Sequence, residues 1–187
     1  MRILKQAEQL AWLAERRLAA NPIESGGDGI EFYLQFYPPK QLRAIEAFTH
    51  TFLATAGARS EVMMTITDTE NPEDYELRLF DRLRFPSGDP KSIFEAPVHL
   101  FGAEEHEDLI PMFSLTVAFQ WEAYLHILMS KTILLNWESD IFDLWTDDRS
   151  VFASVSDMLR TFCLSETNGA QPGGPVNPDS PSLRRGR

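Results

Sequence analysis

The sequence predicts an α+β fold: helices packed on one mostly antiparallel sheet, closing with a C-terminal β-meander and a final helix. Three observations carry this. Residues 30–37 alternate apolar and polar side chains with period two, which in a strand places Ile30, Phe32, Leu34 and Phe36 on one face. Leu42, Ile45, Phe48 and Phe52 recur at helical spacing. Between residues 123 and 145, three short apolar runs are separated by Met129-Ser130-Lys131 and Glu138-Ser139-Asp140, breaks short enough for hairpin turns.

Taken in chain order, residues 3–20 are Ala-rich, and Leu4, Ala7, Ala11, Ala14 and Leu18 form one stripe of a first helix that Asn21-Pro22 ends. A loop follows at 24–29. Pro38-Pro39 stops the strand at 30–37 and opens the helix that runs to Gly57. Residues 62–67 form a second strand. Asn71-Pro72-Glu73-Asp74 has the composition of a helix start, and Glu76, Leu79, Phe80 and Leu83 continue it, although Tyr75 to Leu79 also alternate like a strand; helix is preferred. Residues 86–90 form a turn. Residues 93–101 are expected as a strand that Pro97 confines to a sheet edge. Residues 109–121 are apolar nearly all round, the mark of a buried central helix, with Pro111 accommodated in its first turn. Strands at 123–128, 132–137 and 141–145 precede a helix at 150–164 that turns Val151, Val155, Met158, Leu159 and Phe162 inward. This places one globular domain at 1–164, and residues 165–187, rich in Pro and Gly, as a disordered tail.

Of the 187 residues, 28 are acidic and 17 basic, a formal net charge of −11. The acid is concentrated: residues 1–60 carry +1, residues 61–166 carry −14 and residues 167–187 carry +2. A field of that sign repels phosphate backbones, which argues against nucleic-acid binding, and attracts a basic partner. One cysteine excludes a disulfide framework. The absence of a long apolar run gives no signal peptide or membrane span, so the expected location is the cytoplasm.

No motif of a common enzyme class is present: there is no Gly-x-Ser-x-Gly elbow, phosphate-binding Gly-Lys-Ser/Thr loop or Gly-x-Gly-x-x-Gly turn. Glu104-Glu105-His106-Glu107-Asp108 precedes a helix, where carboxylates favour the positive end of the dipole, so capping is expected rather than metal binding. Cys163 is expected as a small buried hydrophobe. Glu138, Asp140, Asp143, Asp147 and Asp148 cluster around the last hairpin, and three roles compete for them. They are turn and cap residues, or a contact face for a basic partner, or, for Glu138 and Asp140 sharing one strand face with a distant histidine, the carboxylates of a metal-dependent hydrolase. Trp121, Tyr124, Trp137, Phe142 and Trp145 are expected mostly in the core, while Tyr33 and Tyr37 lie on a more polar face suited to an interface.

Trp121-Glu122-Ala123-Tyr124-Leu125, the hairpin, Leu135-Asn136-Trp137-Glu138-Ser139-Asp140 and the closing helix resemble small uncharacterised bacterial proteins and the end of SUKH-type immunity domains. That resemblance spans about residues 109–164 and implies an acidic α+β protein that neutralises a toxin by binding it. The leading expectation is therefore a non-enzymatic binding protein without metal or cofactor, contacting a basic protein through Glu138, Asp140, Asp143, Asp147 and Asp148. The alternatives are the hydrolase and a structural subunit assembled through the first helix or the Tyr33/Tyr37 strand.

Overall fold

A computed structural model describes residues 1–24, 30–57, 59–69, 71–84, 88 and 91–167. Residues 25–29 of the loop expected at 24–29, most of the turn at 86–90 and the tail from 168 onward lie outside the described residues. In chain order the elements are β1 (Arg2–Leu4), α1 (Gln6–Arg16), β2 (Phe32–Phe36), α2 (Leu42–Ala56), β3 (Val62–Asp68), α3 (Asp74–Arg84), β4 (Val98–Phe101), α4 (His106–Ala118), β5 (Glu122–Ile127), β6 (Thr132–Trp137), β7 (Ile141–Thr146) and α5 (Arg149–Thr161). The strands form one sheet in the order β1-β4-β3-β5-β6-β7-β2, every neighbouring pair antiparallel. The α+β class, the C-terminal meander and the closing helix are as the sequence predicts.

The first two strands lie at opposite edges of the sheet. Six inter-strand gaps of about 4.8 Å separate them, so α1 and the residues after it must travel about 29 Å across one face. They cover it as they go: Trp12, Leu13 and Leu18 pack on Met63, Val98 and Leu100, and Ala19 and Ile23 pack by Tyr124, Ile133, Leu135 and Trp145. The other face carries α2, α4 and α5 over Phe36, Val62, Met64, Leu125, Leu134, Phe142 and Leu144, with Phe48, Phe52 and Phe113 between them. The central strands are thus buried on both sides, which is why Val62-Met63-Met64 and Ile133-Leu134-Leu135 are apolar without alternation.

Several sequence expectations are corrected. The first helix is Gln6–Arg16, because residues 2–4 are drawn into β1 by pairing with β4. The strand expected from residue 93 begins only at Val98, after a turn at 93–95, and β4 sits inside the sheet between β1 and β3. Pro97 therefore does not mark an edge; it precedes the strand, and its carbonyl accepts the Ile66 N–H at 3.1 Å. Pro111 falls in the second turn of α4, which starts at His106 rather than 109. Cys163 is exposed and lies past α5, not within it. The first residues of the expected tail are ordered against the sheet: Ser165 and Thr167 exchange backbone hydrogen bonds with Tyr37 and Gln35 beside the β2 edge.

Candidate functional site

The five carboxylates singled out in the sequence are not brought to one place. Three residues, Glu138, Ser139 and Asp140, connect the paired Trp137 and Ile141; Glu138 and Ser139 both have left-handed backbone (φ 46° and 60°), and the Asp140 N–H donates to Trp137 O at 2.9 Å. This is the turn geometry whose twist matches a β-hairpin. Because the strand stops at Trp137, Glu138 and Asp140 do not share a strand face as the hydrolase expectation required. The turn is anchored from inside the fold. Buried Ser139 donates through Oγ to Val117 O and through its N–H to Asn136 Oδ1, and Asn136 donates to Trp121 O at 2.7 Å. Lys40 Nζ donates to Ser139 O at 2.9 Å.

Asp147 and Asp148 stand at the far end of β7, about 23 Å or more from Asp140 at the rise of an extended strand. Asp148 caps α5, accepting the Ser150 hydroxyl (2.6 Å) and the N–H groups of Ser150 (2.8 Å) and Val151 (3.3 Å), and these hydrogen bonds, that of the hydroxyl first, hold its carboxyl below the usual range. Asp147 lies within 3.9 Å of Lys131 Nζ, an exposed pair. The Glu104–Asp108 cluster behaves as helix-start chemistry too: Glu105 accepts the Gly102 N–H at 2.8 Å, and Glu107 and Asp108 occupy the first turn of α4.

Asp143 differs from the other four. It lies inside β7 and is 3% exposed. Its Oδ1 accepts both the Tyr33 hydroxyl at 2.6 Å and the Gln35 amide at 2.8 Å, while among the described residues nothing donates to Oδ2. Burial raises its carboxyl above the ordinary range, against the pull of these two hydrogen bonds. Burial and the neighbouring carboxylate likewise push the Tyr33 hydroxyl well up. Tyr33 is therefore a half-buried structural partner, its ring 5.5 Å from that of Trp145, and not a free interface residue. Gln35, which has no distinguishing feature in the sequence, owes its place to the register pairing it with Asp143.

Asp143 lines a cleft of about 720 Å³ together with Ile23, Gln35, Trp137, Ile141, Glu138 and Asp140. Trp137, expected in the core, is 38% exposed here. No histidine lines the cleft. Among the described residues no three His, Cys, Asp or Glu side chains are grouped to hold a metal ion.

The cleft belongs to a larger acidic end of the sheet. Antiparallel pairing brings the end of β3, the start of β5 and the β6–β7 turn to the same end, with Asp68 and Glu122 as register neighbours. The next element after β3 is α3, with Glu73 just before it and Asp74 and Glu76 in its first turn. All four exposed large aromatics among the described residues lie at this end: Tyr37 after β2, Tyr75 at the start of α3, Phe94 before β4, and Trp137. The histidines are spread singly: His99 and His126 are buried in opposite faces of the sheet, His106 contacts Ser60 O at 2.9 Å, and His50 is exposed on α2. No helix among the described residues is long and apolar enough to cross a membrane. No family model, no curated protein and no solved structure matches the chain.

Proposed function

We propose that this chain is a non-enzymatic binding protein that docks a basic protein partner through the acidic, aromatic end of its sheet. The observation that carries this is the coincidence, at one end, of Asp68, Glu122, Glu138 and Asp140 with the four exposed aromatics. Interface cores are enriched in Tyr, Trp and Phe, and a charged rim steers the encounter and excludes partners of the wrong sign. Within this reading Glu138 and Asp140 are contact residues, Asp147 and Asp148 are not, and Asp143 serves from beneath the surface. The resemblance of residues 109–164 to SUKH-type immunity domains points to a toxin as that partner, its basic substrate-binding surface blocked by the acidic end. The test is direct binding of the full chain to a panel of purified basic nuclease domains at low and high salt. Stoichiometric, salt-weakened binding to a member of the panel supports the proposal; no binding at either salt overturns it.

A further inference from the structure

Asp143 has the surroundings of a group waiting for a cation. A carboxylate taken out of water needs hydrogen bonds and a counter-charge to be stable. Here one oxygen is fully used by Tyr33 and Gln35, which fix the plane of the group. The other receives no hydrogen bond from any described residue, and no Lys, Arg or His among them pairs with it. The carboxylate lines a cleft of about 720 Å³, within the range of roughly 300–1,000 Å³ typical of ligand sites. The half-exposed indole of Trp137 forms one wall, and Ile23 and Ile141 add apolar surface.

Resting on the reading of this end as a surface for a basic partner, we propose that the cleft takes a single arginine side chain of that partner. The guanidinium donates to Oδ2 of Asp143, the planar group lies along Trp137, and Glu138 and Asp140 at the lining accept from its remaining N–H groups. Arginine fits better than lysine for two reasons. Guanidinium is the more weakly hydrated cation and so loses less on entering a partly dry cleft, and it stacks on an indole while donating in its own plane. Specificity for arginine thus comes from the buried carboxylate, whereas the outer acids respond to charge of either kind.

The experiment compares two defined probes on the full chain, an arginine-rich peptide and a lysine-rich peptide of equal length and charge, by calorimetric titration. The arginine peptide is expected to bind about tenfold more tightly, and Asp143→Asn to abolish that preference while leaving the lysine peptide unaffected. The replacement is isosteric and still accepts from Tyr33 and Gln35, so the fold is spared. Trp137→Ala, at an exposed position, is a second variant and is expected to reduce the preference severalfold. Equal affinity of the two peptides for the unaltered protein, or a preference that survives Asp143→Asn, overturns the arginine site while leaving the basic-partner reading standing. Failure of both peptides to bind overturns both.

Discussion

Acidification from pH 7.5 to pH 5 is expected to cost this fold about 4 kcal/mol through two histidines buried in opposite faces of the sheet. His99 is fully buried beneath Phe80, and burial together with the Arg84 guanidinium lowers its pKa to about 3 against a weaker opposing pull from the Pro97 backbone. His126 lies under the segment following α1, donates from Nε2 to Ala19 O at 3.1 Å, and is lowered by burial to about 4. In the unfolded chain both take up protons near pH 6.5. A histidine whose folded pKa is depressed contributes stability that is present above its unfolded pKa and is lost as pH falls toward the folded value. At pH 5 the unfolded state binds nearly two more protons than the folded one. Each site has then lost about 1.5 pH units at 1.36 kcal/mol per unit, or roughly 2 kcal/mol. Against a total stability of about 5–15 kcal/mol this is a large fraction.

The assay is urea unfolding followed by tryptophan fluorescence at the two pH values, for the unaltered protein and for His99→Leu/His126→Gln. Leucine at 99 removes the titrating ring from a buried position, and glutamine at 126 keeps a donor for Ala19 O. The double variant is expected to lose far less stability on acidification. An equal loss in both proteins would exclude the two histidines and place the acid sensitivity in carboxylates.

Three further outcomes follow from the structure. Arg17, Gln120 and Cys163 each close a helix in left-handed conformation (φ 54°, 62° and 54°) with exposed side chains, so glycine at each is expected to add about 1 kcal/mol, additively, in thermal or urea unfolding. Burial raises the Asp143 carboxyl, so its ionisation disfavours the fold; Asp143→Asn is expected to raise the urea midpoint at neutral pH, with the gain vanishing as pH falls below the carboxylate range. Exposed Cys163 is expected to react stoichiometrically with a thiol reagent in the native state, without denaturant; protection until unfolding would contradict its placement.

The same three helix ends explain where the sequence misleads. The chain offers no glycine at these positions, and the residue after each left-handed one is apolar: Leu18, Trp121 and Leu164. Each donates its N–H back five residues, to Leu13, Thr116 and Leu159, in a Schellman closure, and packs inward. Their apolar side chains extend the helical stripe by period alone, so the expected helices overran to residues 20, 121 and 164. The meander was legible because the breaks at 129–131 and 138–140 interrupt β-branched and aromatic runs at hairpin spacing. β1 was not, since three residues acquire strand structure only from their pairing with β4. At the candidate site, proximity along the chain suggested one acidic cluster. The six residues of β7 instead separate Glu138 and Asp140 from Asp147 and Asp148, and bury Asp143 between them. Nothing local distinguishes Asp143 from its neighbours; its role comes from the register that sets Tyr33 and Gln35 beside it.

The central claim is that binding belongs to one end of the sheet and not to the overall negative charge. Its most direct test is the affinity of an arginine-rich peptide for two charge-reversed variants with the same change in net charge: Glu122→Lys/Asp140→Lys at the aromatic end, and Glu104→Lys/Asp147→Lys at the opposite end. The first pair is expected to abolish binding and the second to leave it near that of the unaltered protein. Equal weakening by both pairs would show a response to the whole-molecule field and rule out a localised docking end.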